Sequence, residues 1–309
     1  SLLLESLLEC SGLVAERVRD TVALARTWLT HHRSLAEAGF VLKPLLVRND
    51  LTDSEWEWVL AEAMDWVRDH RKSRAARRVM TALAEHHRIG AADREELVTT
   101  GLAWLESHSH SPQSPQTLRS LFGPTHLNEA QARRLVDCGL RWISQQKPAD
   151  TWQMLGVLAE RSDLPPDRAA AVESLVNARV SADPTALDAR WVLEPRLART
   201  DITLAQRTKA IAWSFAWLER HMPQCDAHVL LGSLLALEDL SATERSRGVE
   251  WSIAWLEHHH ADGTAGTFAV QGTEELLGAL LSLELDAAQV RRLDAHLRET
   301  EGAGRESVG

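Results

Sequence analysis

Residues 51–70 read LTDSEWEWVLAEAMDWVRDH, and the same design returns as LNEAQARRLVDCGLRWISQQ at 127–146 and as LSATERSRGVEWSIAWLEHH at 240–259. Each stretch opens on an apolar residue, follows it with Thr, Asn or Ser, and places Glu or Gln three positions later. That is the spacing of a capping box: the first side chain accepts from an orphan amide, and the second reaches back to the cap's own N–H. Each stretch also carries a Trp fifteen positions after the opening residue. One helix, begun by a cap and anchored by a Trp, is therefore written three times.

The period is 38. Trp28, Trp66, Trp104 and Trp142 follow one another at that interval, as does Trp255 after Trp217. The step from Trp142 to Trp217 is two periods less one, so one Trp is missing near position 179, where Arg179 stands. The opening apolar residues Leu13, Leu51, Ile89, Leu127, Leu164, Ile202 and Leu240 keep the same step, with a single interval of 37 after Leu127. An eighth, Leu285, follows an insertion near 261–272. Self-similarity at such a period marks a repeat array.

Within each repeat the capped helix (helix A) runs from the cap to just past the Trp. Relative to that Trp, apolar or small residues recur at −7, −6, −3, −2, 0 and +1, a stripe at helical period. Position −3 is Ala25, Ala63, Gly101, Gly139, Val176, Ser214 and Ser252, mostly small enough for a neighbouring helix to approach closely. A second apolar helix (helix B) precedes the next cap, as in Phe40–Leu46 and Val229–Leu235. The pattern predicts A helices over 14–31, 53–69, 91–107, 129–145, 166–180, 204–220, 242–258 and 287–299. B helices are expected near 2–10, 37–48, 74–87, 115–122, 151–161, 186–199, 227–237 and 273–283. Pro44 and Pro195 hold equivalent places, so helix B should start late or kink there. No segment alternates at period two, which excludes a sheet.

The fold class read from this is all-α: a right-handed α-solenoid of about seven two-helix repeats, with partial repeats at both ends. It should form one domain over residues 1–299, followed by a polar tail at 300–309. Leu2–Leu8 stands one period before Phe40–Leu46, so the chain opens inside a helix B and is expected to be the C-terminal part of a longer protein.

Composition narrows the function. Of sixteen aromatic residues twelve are Trp and none is Tyr, which suits one recurring structural position. A net charge of −10 argues against general phosphate-backbone binding. The three cysteines, Cys10, Cys138 and Cys225, lack metal-ligand spacing and point to a reducing, cytoplasmic setting. Apolar runs fall short of the ~20 residues of a membrane span. Arg outnumbers Lys thirty to four, the usage of a GC-rich bacterial source.

The paired, capped helices resemble the helical-hairpin superclass of TPR and HEAT arrays over residues 1–299, although the W-x2-L-G-x2-Y pattern of TPR is absent. The Trp-bearing array is also similar to the C-terminal sensor halves of bacterial STAND signalling ATPases. These resemblances imply a superhelix whose groove binds a partner on behalf of upstream domains of the same chain, in signalling or antiphage defence.

His32, His70, His108, His221 and His259 each stand four after the Trp position. One metal ion cannot bridge residues a helix-packing distance apart, so these are read as structural, each packing on its Trp near the negative helix end. The Trp ladder itself is read as core. Positions −8, −5 and −1 face away from that core, and −4 lies at its edge. Among short side chains such as Ala23, Ala61 and Ala212 stand bulky or charged ones: Trp58, Arg134, Lys209 and Arg247 at −8, and Trp213 and Trp251 at −4. These six are the candidate partner-binding residues. The basic run Arg68–Arg78 is read as a solvated turn and helix flank. No nucleotide, metalloprotease or nucleophile-elbow motif is present, so no enzyme, cofactor or metal is expected. The reading is a sensor or scaffold array binding a macromolecule, protein in preference to nucleic acid. A nucleic-acid reader, the alternative, would need recurring polar side chains on one face and a basic groove.

Overall fold

The computed structural model describes residues 2–10, 14–123, 127–224, 226–261 and 267–306, the side chains of 15, 260–261, 267–271 and 299–306 excepted. Leu13 and Cys225, named above, lie outside the described residues. Sixteen α-helices occur among the described residues, with no strand. In chain order they are α1 (Leu2–Glu9), α2 (Ala15–His32), α3 (Ala38–Val47), α4 (Asp53–Asp69), α5 (Ala76–Glu85), α6 (Ala91–Ser107), α7 (Ser114–Phe122) and α8 (Glu129–Gln145). There follow α9 (Trp152–Ala159), α10 (Pro166–Ala182), α11 (Arg190–Ala198), α12 (Leu204–His221), α13 (Ala227–Leu235), α14 (Ala242–Ala261), α15 (Thr267–Leu281) and α16 (Ala287–Glu306). Even-numbered helices are the A helices and odd-numbered ones the B helices.

The caps form as the sequence requires. At Thr52, Asn128 and Thr203 both bonds of the capping box are present, closed by Glu55, Gln131 and Gln206. Ser241 and Glu244 exchange the same pair of bonds, as do Asp286 and Gln289. This is why the predicted starts at 53, 129, 204, 242 and 287 coincide with the observed ones. At Pro44 and Pro195 the helix does not start late: each proline lies inside its helix, which begins well before it. Each proline removes the bond to the carbonyl four positions earlier, at Phe40 and Trp191, and both helices end three positions beyond it. α16 continues to Glu306, through residues assigned above to the polar tail.

The chain is organised as two compact units, residues 1–158 with 163–171, and 159–162 with 172–309. In the first, B helices stack on B helices (α1 on α3, α3 on α5, α5 on α7) and A helices on A helices (α4 on α6, α6 on α8). In the second, α11 packs on α13 and α13 on α15, while α14 packs on α16. Stacked hairpins of this kind make each unit an α-solenoid segment. Residues 1–299, expected above to form one domain, fall into both units, and the division lies in the repeat that lacks its Trp.

Small residues at −3 allow the close approach. Ala25, Ala63, Ser214 and Ser252 are fully buried. A Cβ on Gly101 would come within 2.5 Å of Leu121 on the next helix, and one on Gly139 within 3.2 Å of Leu158. Gly101→Ala should therefore cost about 1–3 kcal/mol despite its better helix propensity, because Leu121 is itself packed. Chemical denaturation measures it, and an unchanged or raised midpoint would refute the close-packing account.

Candidate interaction surfaces

The Trp ladder is core, and it is also the joint between repeats. Trp66, Trp104, Trp217 and Trp255 are almost completely buried, Trp142 nearly so, and Trp28 is half-buried. Each buried indole N–H donates to a backbone carbonyl in the A–B turn of the preceding repeat. Trp66 bonds Leu35, Trp104 bonds Ser73, Trp142 bonds Ser111, Trp217 bonds Ala186 and Trp255 bonds Gln224, at 2.9–3.1 Å. A buried indole needs such an acceptor. The corresponding carbonyl for position 179 is that of Pro148, and it accepts instead from the fully buried Thr151 hydroxyl at 2.7 Å. Trp152 is buried, while Trp191 and Arg179 are half-buried.

The histidines complete this joint. The rings of His32, His70, His108 and His259 stack on their Trp at 4.1–4.6 Å. Each Nδ1 sits 2.9–3.0 Å from that Trp's carbonyl, which can only accept, so Nδ1 carries a proton. His221 is tilted on Trp217, and its Nε2 reaches the Thr185 carbonyl at 2.7 Å. No cluster of three or more metal-ligating side chains occurs among the described residues.

Position −8 of one helix A meets position +2 of the helix A before it. Glu96 pairs with Arg68, Arg134 with Glu106 at 3.1 Å, and Arg247 with Glu219 at 3.5 Å. Two of the six candidate residues, Arg134 and Arg247, therefore take part in ties between repeats, though both are exposed. Trp58, expected to point outward, is half-buried: the Arg26 guanidinium lies over its ring at 5.2 Å. Lys209 is exposed.

Trp213 and Trp251 are half-buried on α12 and α14. Trp251 meets the Phe215 ring edge-on at 5.7 Å. The Arg247 guanidinium covers both rings, 4.1 Å from Trp251 and 5.3 Å from Phe215. Trp213 flanks Arg196, a fully buried arginine held by both carboxylate oxygens of Glu173 at 2.8 Å. The structure thus brings Trp213, Trp251 and Arg247 onto adjacent A helices. Trp58 and Arg134 belong to the other unit. The carboxylates before the caps are structural: Asp50 and Asp201 bind Arg48 and Arg199, whose guanidinium groups also donate to carbonyls of the preceding B helix, at Leu8 and Ala159. The hydrogen bonds from those arginines hold both aspartates below the usual carboxylate range.

In the basic run, Arg68 is engaged by Glu96 and Asp65. Arg71, Lys72, Arg74 and Arg78 are exposed or half-exposed and Arg77 half-buried. Burial pushes up the Cys138 thiol, while Cys10 is free and exposed. No helix among the described residues is long and apolar enough to cross a membrane.

No family model matches the chain, and no curated protein matches it. Among solved structures the chain is similar to PUF-8 in complex with PBE-RNA, at 12% identity and a TM-score of 0.47, over 96% of this chain and 83% of that one.

Proposed function

We propose that the chain is a macromolecule-binding repeat module without a catalytic role, and that it engages a protein partner through the A-helix surface carrying Trp213, Trp251, Arg247 and Lys209. The observation that carries this reading is the half-buried Trp251 under the exposed Arg247, both resting on the buried Phe215 ring, with Trp213 at the equivalent place one repeat earlier. Trp and Arg are the side chains that most often anchor interfaces, and here they stand pre-ordered among short neighbours. In this reading the array serves as the recognition part of a longer signalling chain, as its resemblance to STAND sensor halves implies.

The test compares capture of partners by the native chain with capture by Trp251→Ala, Trp213→Ala and Lys209→Glu, alongside a thermal melt of each. Binding should fall tenfold or more for Trp213→Ala and Trp251→Ala and less for Lys209→Glu, with Lys209→Glu leaving the melt unchanged. Should all three variants keep the native set of partners at native affinity, the surface is packing and the proposal fails.

A further inference from the structure

On the B helices of the first unit, one side chain per repeat is exposed or half-exposed in step with the repeat: Phe40 on α3, Arg78 on α5 and Gln116 on α7. They form a continuous strip. The Arg78 guanidinium lies 5.0 Å from the Phe40 ring centre, and the neighbouring Arg77 donates to Gln116 Oε1 at 3.0 Å. Beside this strip, Arg71, Lys72, Arg74, Arg77 and Arg78 follow closely in sequence, and none of them forms an ion pair among the described residues. Elsewhere in the same unit Arg33, Arg48, Arg68, Arg133, Arg134 and Arg168 are all paired with carboxylates.

Among the described residues no carboxylate neutralises this group. α5 begins at Ala76, has no side-chain cap and has no acid in its first turn, so the positive end of its dipole adds to the cations. Burial, and then the charge of Arg78, pushes the Arg77 guanidinium below its usual value. Such a group of cations is a local exception in a chain with 44 acidic and 34 basic residues, and a bound anion would relieve their repulsion.

We propose that this B-helix strip binds single-stranded nucleic acid, with the cations on phosphates, Phe40 and Arg78 as a stacking platform, and the Gln116 amide on a base edge. Exposed bases stack on aromatic rings and guanidinium planes and offer hydrogen-bonding edges, whereas a duplex hides both. An acidic protein segment would use the cations but leave the ring and the amide idle. This surface is separate from the one proposed above on the second unit, so either can fail alone.

The test is fluorescence anisotropy of the whole chain with a labelled mixed-sequence RNA, first as a single strand and then annealed to its complement, at low and moderate salt. The single strand should bind at least tenfold tighter than the duplex, with a salt slope of roughly −0.7 per phosphate engaged. Arg77→Glu with Arg78→Glu should weaken binding more than tenfold. Gln116→Ala should weaken it severalfold with the salt slope unchanged, since it removes a base contact and no charge. Arg71→Glu with Arg74→Glu, on the exposed turn, gives the same reading if the first pair disturbs folding. No binding of the single strand, equal binding of the duplex, displacement by a poly-glutamate peptide at matched charge, or indifference to both charge reversals would each overturn the proposal.

Discussion

Trp104→Ala should destabilise the chain by about 3–5 kcal/mol, the range for removing a fully buried aromatic ring from a core that cannot collapse around the space. The ring is completely buried, its N–H is bonded to Ser73 at 2.9 Å, and His108 stacks on it. Three losses coincide: apolar burial, a stacked neighbour, and the hydrogen bond that ties the ring to the turn of the preceding repeat. Two controls separate them. Trp104→Phe keeps most of the ring and removes the donor, so about 1–2 kcal/mol should remain. Trp28→Ala should cost clearly less than Trp104→Ala, because Trp28 is half-buried and Trp104 completely buried. Urea denaturation followed by circular dichroism measures all three. An equal loss for Trp28→Ala and Trp104→Ala would show that ring volume alone, and no joint, holds the repeats together.

The helices were legible because their signals are local. A cap, its partner three positions on, and a stripe at helical period all act within one element, and the observed starts follow them. The ladder's place in the core was legible for the same reason. Its cross-repeat bond was not, because the acceptor is a main-chain carbonyl in an irregular turn, and any residue supplies one. The ties from −8 to +2 left a signal that went unread: opposite charges at one fixed offset, in Arg68 and Glu96, Glu106 and Arg134, and Glu219 and Arg247. Reading it would have shown that Arg134 and Arg247 hold neighbouring helices as well as facing solvent. The Arg26 guanidinium over Trp58 is invisible to a helical wheel, which sees one helix, because Arg26 stands on another. Nor does a wheel over helix A find the strip on the B helices, whose members Phe40, Arg78 and Gln116 share a period but no chemistry.

Glu173→Gln should cost about 3 kcal/mol or more, because it strands a charge where water does not reach. Arg196 is 1% exposed and takes both of its carboxylate bonds from Glu173, while its Nε has no protein acceptor among the described residues. Removing one member of a buried pair leaves the other's desolvation uncompensated, which is worse than never having had the pair. The double variant Glu173→Gln with Arg196→Met should therefore recover much of the loss, since both charges go and an apolar chain of similar length fills the place. The pair also sets a pH dependence. Burial raises the Glu173 carboxyl, but the Arg196 hydrogen bonds and charge, with Gln206 and Asn177, outweigh it and leave the group below its ordinary value. A carboxyl depressed in the folded state stabilises fully above its unfolded pKa, about 4.3, and that contribution is lost as pH falls through the lower folded value. Native chain and Glu173→Gln should thus converge in stability in acid, where the protonated carboxyl strands Arg196 as Gln does, and diverge above about pH 5. A double variant no more stable than Glu173→Gln alone would mean that the carboxylate acts through packing and that Arg196 is not stranded by its loss.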